Sequence, residues 1–184
     1  MAYAGQPTSE ATQKYAAAPF QELMIGCERC HGHGRRHVEK HQSGSSLAKS
    51  GEADDTIVNP ARLDPQRHDD VCNQCHLGGE AQYLRYGRQH QDFRPGDHLG
   101  DIWTVFVSGT GVVGDDATQA VSHVGQMRSS KCYSGSDAKL VCSTCHDAHS
   151  VPEDDERNSY FDRRCLKCHG QDDCAAPAAE RSAA

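Results

Sequence analysis

The chain is short of the residues that build a core. Leu, Ile, Val and Phe together number 26 of 184, or 14%. A share this low normally marks disorder, because so little apolar surface cannot offset the entropy of ordering the backbone. Aromatic residues are also scarce, at 6%. No apolar run approaches the ~20 residues that span a bilayer. Basic residues are outnumbered, with 19 Lys and Arg against 26 Asp and Glu, for a formal charge of -7. That balance, with no basic patch, argues against nucleic acid as a partner. A transmembrane protein, a DNA binder and a large apolar-cored enzyme are all poor fits.

Cysteine and histidine, in contrast, are abundant. There are 10 Cys and 12 His. A chain poor in its own core and rich in these two residues is expected to borrow a core from a cofactor. Eight of the cysteines fall in four pairs with one spacing, each followed directly by His. The motifs are Cys27-Glu28-Arg29-Cys30-His31, Cys72-Asn73-Gln74-Cys75-His76, Cys142-Ser143-Thr144-Cys145-His146 and Cys165-Leu166-Lys167-Cys168-His169. This is the attachment pattern of c-type haem. Two thiols add to the two vinyl groups of one porphyrin, and the next residue reaches the iron. Two intervening residues in a near-helical turn set both sulfurs along one ring edge and swing the His beneath the metal.

Zinc is the competing reading, since 19 residues separate Cys145 from Cys165, a gap suited to a zinc ribbon. Zinc has no reason to place a His after every pair. At this His content, four such placements arise by chance about 2 times in 100,000. Four haems c are therefore expected, with His31, His76, His146 and His169 as proximal ligands. Four haems in 184 residues leave 46 residues for each, so they must lie close together and act as the core. The motifs start at 27, 72, 142 and 165, intervals too uneven for a regular solenoid. The last two, only 23 residues apart, are expected to hold a closely stacked pair. The expected fold class is mainly α with abundant loop, with short helices packed around four c-type haems.

Local signals place the motifs. Asp64 as cap and Pro65 at the first position start a helix that runs to His76 and stops at Gly78-Gly79. Residues 35–42 form a short helix with His37 and His41 on one face, and residues 118–128 a second with His123 and Met127 on one face. Ser159 with Asp162 reads as a capping box that starts a helix toward Cys165, ended by Gly170. Residues 101–107 are the only strand expected, and Gly109 to Gly114 a flexible loop. Residues 1–19 read as a flexible N-terminal segment, 20–171 as the tetrahaem domain, and 172–184 as a flexible tail or linker, as in a domain cut from a longer chain. Residues 1–19 lack the apolar core of a signal peptide. Haem c is attached outside the cytoplasmic membrane, so a periplasmic or extracellular protein is expected, its signal peptide lying outside this stretch.

The chain resembles the multihaem cytochromes related to the tetrahaem nitrification cytochromes, especially exported bacterial cytochromes often fused to tetratricopeptide repeats. The likeness runs from about Gln21 to Gly170. It rests on CERCHGHGRRHV (27–38), VNPARLD (58–64), DDVCNQCHLGGEA (69–81), DFRPGD (92–97), QMRSSKC (126–132), CSTCHDAHSVP (142–152) and RRCLKCHG (163–170). The resemblance implies that His37 and His149 each serve as distal ligand to a haem attached at another motif. It also implies a ligand-bearing helix before Cys132, where His123 and Met127 compete. Similar chains often read CHGPG and CHDPH, whereas this one has His33 and Ala148. The fourth distal position stays open among His41, His68, His90, His98 and His33. His68 lies one turn before Cys72, which suits a local hydrogen bond.

Other residues carry weaker signals. Arg35-Arg36 and Arg163-Arg164 can pair with propionates. Tyr83, Tyr86, Phe93 and Trp103 are expected to pack on porphyrin faces. Export favours a bond between the two spare cysteines, Cys132 and Cys174. The leading functional reading is electron transfer to redox partner proteins, with an acidic surface suited to a basic docking patch. The alternative is a multihaem oxidoreductase with one open haem acting on a small nitrogen or oxygen species. No CxxCK motif of the kind that marks multihaem nitrite reductases occurs. A haem domain built into a filament or a larger cytochrome assembly is the third reading.

Overall fold

The computed structural model describes residues 2–3, 20–22, 24–44, 53–79, 81–106 and 122–170. The chain divides into two compact units, Met1–Ala138 and Lys139–Ala184. Motifs one and two belong to the first unit and motifs three and four to the second. Seven short α-helices, two 3-10 turns and four short strands account for the regular structure of the described residues. No helix among them is long and apolar enough to cross a membrane.

In the first unit, α1 (Glu28–His31) and α2 (Arg35–Gln42) follow one another closely. Gly32 separates them with φ +77°, a left-handed conformation that a side chain would strain. The longest helix is α3 (Pro65–His76). Asp64 caps it, its Oδ1 accepting from the Arg67 amide at 3.1 Å. Pro65 loses nothing at the first position, where its missing N–H would have no helical partner.

The buried face of α3 is mostly polar: His68, Asp69, Asp70 and Asn73 are buried along with Val71. This follows from the composition, since few apolar residues are available to face inward. Asp70, only 3% exposed, makes the face workable by receiving donors on both oxygens. Gln66 Nε2 at 2.8 Å and Asn73 Nδ2 at 3.0 Å donate to Oδ1, and the Leu99 amide at 3.1 Å donates to Oδ2. The last bond ties α3 to the 3-10 turn Leu99–Asp101. Beside that turn lies a small apolar cluster of Phe93, Leu99 and Ile102, with Leu77, Leu84 and Trp103 packed against it. Phe93 thus sits in the chain's own core, where sequence analysis had placed it on a porphyrin face. Tyr83 and Tyr86 are exposed.

The expected strand is present as β4 (Trp103–Phe106); residue 107 and the loop at 109–114 lie outside the described residues. It pairs antiparallel with a strand that was not expected, β3 (Ala81–Leu84), in the register Ala81↔Phe106 to Leu84↔Trp103. Gly79 leads into it so close to β4 that a Cβ there would lie 2.6 Å from the Phe106 carbonyl oxygen. A second unexpected pair joins β1 (Ala2–Tyr3) to β2 (Phe20–Glu22). The helix expected over 118–128 is α4 (His123–Ser129). Ser122 caps it, accepting from the Gly125 amide at 3.0 Å, so His123 stands at its first position. The following α5 (Lys131–Gly135) carries Cys132.

In the second unit, α6 (Cys142–Cys145) and α7 (Arg157–Cys165) carry the last two motifs. The capping box expected at Ser159 is not formed. Its hydroxyl donates back to the Glu156 carbonyl at 2.9 Å, and the helix starts three residues earlier, with Glu156 in the cap position. It ends at Cys165, short of Gly170. Arg164 donates to the Tyr160 hydroxyl at 2.9 Å, and Arg163 donates to the Ser159 hydroxyl.

Asp70 is the residue whose loss the first unit should feel most. Asp70→Ala strands the buried Leu99 and Asn73 donors, and we expect a loss of about 3 kcal/mol, read as a lowered urea midpoint of the matured protein. Asp64→Ala removes one exposed cap and should cost less in the same measurement.

Candidate functional site

The four motifs share one local geometry. In the first, the His31 amide donates to the Cys27 carbonyl at 2.9 Å. In the third and fourth, the His146 and His169 amides donate to Cys142 and Cys165, each at 3.0 Å. The second is the last turn of α3. Each CxxCH is therefore one helical turn, and its two Cys and its His lie on one side. This is the arrangement that two thioether bonds and one axial imidazole require.

His31 carries a further feature of a metal-bound imidazole. Its Nδ1 lies 2.9 Å from the Val58 carbonyl oxygen, and its own carbonyl accepts from the Val58 amide at 3.0 Å. A nitrogen facing a carbonyl carries a proton, and in the tautomer that donates from Nδ1 the lone pair is on Nε2. A backbone acceptor on the far nitrogen is the usual support of a ligating His.

Motifs one and two converge within the first unit. Gln74, inside the second, donates from Nε2 to the Arg29 carbonyl, inside the first, at 3.2 Å. Burial pushes the Cys30 thiol up, and Cys72 and Cys75 beside it add to the shift. His76 meets His123 across α3 and α4, with ring centroids 5.5 Å apart and planes at 82°. Met127 lies one turn further along α4.

In the second unit His146 borders an open cavity of about 380 Å³, lined also by Val151, Pro152, Arg157, Tyr160 and Phe161. The Phe161 ring stands edge-on to His146 at 5.6 Å. Asp147 and Ser150 complete the lining, so the apolar walls carry one cation and one carboxylate at their edge. Several apolar side chains are exposed at or near the motifs: Met24 and Ile25 before the first, Val151 after the third and Leu166 inside the fourth. The residues present thus fit covalent haem at each motif.

The other candidate ligands have varied surroundings. The His37 and His41 rings meet at 4.4 Å, tilted by 59°, and share the carboxylate of Asp54. His149 is exposed and lies 3.6 Å from Asp147, whose carboxyl the His149 amide and Ser150 hydroxyl hold below its ordinary range. His90 meets the Trp103 ring at 4.7 Å, His98 lies 3.7 Å from Asp70, and His33 is exposed, 3.9 Å from Glu28. His68 makes the local contact expected of it, to Asp69 at 3.3 Å. Cys132 is exposed, and Cys174 lies outside the described residues, as does any pairing between them. Sequence analysis missed Val58 and Asp54, both remote from the residues they touch. The Asp54-Asp55-Thr56 run carries a turn signal, but no signal of its partner.

No protein-family model, no curated protein and no solved structure matches this chain.

The buried His68 gives a pH dependence of defined sign. The Asp69 carboxylate raises the His68 pKa above its ordinary value. A raised pKa stabilises the fold most below the unfolded value, and that contribution is lost as pH rises through the folded value. Asp69→Asn should therefore lower the urea midpoint more at pH 5.5 than at pH 8.5.

Proposed function

We propose that the protein is a tetrahaem c-type cytochrome that transfers electrons to redox partner proteins. The observation that carries this reading is the repetition of one motif, CxxCH, four times, each closed as a single helical turn. The thiols of Cys27 and Cys30, Cys72 and Cys75, Cys142 and Cys145, and Cys165 and Cys168 would hold the four groups. His31, His76, His146 and His169 would ligate the irons. When bound, haem c supplies reversible one-electron chemistry. The chain contributes attachment, axial ligands and apolar cover, and the groups in turn supply the core that 26 large apolar residues cannot.

The pairing of His76 with His123 supports a six-coordinate iron at the second motif. Two imidazoles held about 2 Å from one metal, on opposite sides, bring their centroids about 6 Å apart. The observed 5.5 Å is within a small side-chain movement of that value. We assign His123, in preference to Met127, as the distal ligand there. Two imidazoles make a low-spin iron of lower potential than an imidazole and a thioether. His149 is the distal candidate that the second unit contributes. A low-spin, saturated iron at the second motif has no position for a substrate, so the oxidoreductase alternative would need its open iron at another motif.

The excess of acidic residues suits a partner with a basic docking patch, with association that weakens as salt screens it. A periplasmic or extracellular location follows from where haem c is attached.

Intact mass of the exported, matured protein should show four haem additions that resist acid-acetone extraction. Extractable haem, or zinc in its place, would end the reading. His123→Ala should turn one iron high-spin by electron paramagnetic resonance, and Met127→Ala should not. The reduced protein offered nitrite, hydroxylamine or peroxide should oxidise slowly and without saturation; rapid saturable turnover would instead mark an enzyme.

A further inference from the structure

One cluster of ligand-type side chains stands apart from the motif turns. His37 and His41 lie one turn apart on α2, so both rings project from the same face. The same spacing lets a single helix hold a metal with two histidines. A carboxylate from another segment meets them there. Asp54 Oδ2 lies 2.9 Å from His37 Nδ1 and 3.0 Å from His41 Nε2. Among the described residues this is the one group of three His, Cys, Asp or Glu side chains whose ligand atoms all lie within 4.8 Å of one another.

We propose that His37, His41 and Asp54 bind one zinc ion and so fasten α2 to the 53–56 segment. The spacing fits. Donor atoms around a tetrahedral zinc, with bonds of about 2.0–2.1 Å, lie about 3.3 Å apart. The observed separations need to open by only about 0.4 Å. The carboxylate is already fixed on its other oxygen. Lys40 Nζ at 3.0 Å, the Thr56 amide at 2.9 Å and the Thr56 hydroxyl at 2.5 Å all donate to Oδ1. Oδ2 is thereby left to face the imidazoles as a monodentate ligand.

The Thr56 hydroxyl and amide hold Asp54 well below the usual carboxylate range, with His41 and Lys40 adding to the effect. The ligand is thus anionic wherever the histidines are neutral. Each imidazole nitrogen that faces Asp54 carries a proton in the metal-free form. On binding, a neutral ring moves that proton to its other nitrogen and presents the lone pair to zinc. The three side chains are 37, 32 and 18% exposed, enough for an ion to enter. Two nitrogens and one oxygen select zinc over magnesium or calcium, which prefer oxygen shells. Three protein ligands leave a fourth position for water.

The proposal does not depend on the haem reading, and it takes His37 out of the axial set that the family resemblance implies. The test uses the matured full chain, treated with iodoacetamide so that no thiol competes for metal. Equilibrium dialysis against zinc, with zinc and iron counted together, should give one zinc per chain whatever the iron count. Binding should weaken at least about tenfold in His37→Ala, His41→Ala and Asp54→Asn. It should persist in His33→Ala, and magnesium should not replace zinc. His41→Gln keeps a side chain of similar length should the alanine variant fail to fold, and it should lose the zinc-dependent rise in thermal midpoint seen with the parent. Absence of zinc from the parent would overturn the proposal, as would equal affinity in His41→Gln. Conversion of a low-spin iron to high-spin in His37→Ala would also overturn it, because His37 would then belong to a haem.

Discussion

A buried carboxylate organises the first unit. Asp70 is one of only nine side chains buried in the described residues, four of them polar. A buried carboxylate is costly unless both of its oxygens find donors. The surroundings of Asp70 meet that demand with donors from its own helix, Gln66 and Asn73, and from the Leu99 amide across the fold. The helix that ends in the second CxxCH turn is therefore placed by a hydrogen-bond hub rather than by a broad apolar face. The cluster of Phe93, Leu99 and Ile102 is too small to fix that helix alone.

The hub accounts for the distribution of what little apolar surface the chain has. The buried apolar residues lie in or near the hairpin of β3 and β4, its connecting turn, and helices α3 and α4. Beside the first, third and fourth motifs apolar side chains face outward, as with Ile25, Val151 and Leu166, whereas Val71 and Leu77 flank the second and face inward. Polar anchoring of α3 follows from the shortage of apolar residues able to face inward.

Much of this was legible in the sequence where the signal was local. The cap at Asp64 with Pro65 gave the start of α3, and the Arg35–Gln42 helix with its His pair was read correctly. So were the four motif turns. Signals that needed a distant partner failed. A lone strand over 101–107 could not satisfy its own ladder, which should have demanded a second strand, yet Ala81–Leu84 has too weak a pattern to be found. At Ser159 the residue type suited a cap, but the hydroxyl took the Glu156 carbonyl instead. His123 and Met127 could not be separated by spacing; it is the meeting of α3 with α4 that sets the His123 ring beside His76. Asp54 and Val58 had no signal, because their roles come from loop placement.

The contact between His31 and Val58 has a consequence for how the chain can vary. Both of its hydrogen bonds reach main-chain atoms of Val58, so no side-chain replacement at that position deletes the acceptor. Selection is left free to change the Val58 side chain while the orientation of the imidazole persists. Only a change in the path of the backbone, through insertion, deletion or a residue that alters its dihedral angles, would release the ring. Drift in this segment should therefore be tolerant of residue identity and intolerant of residue number.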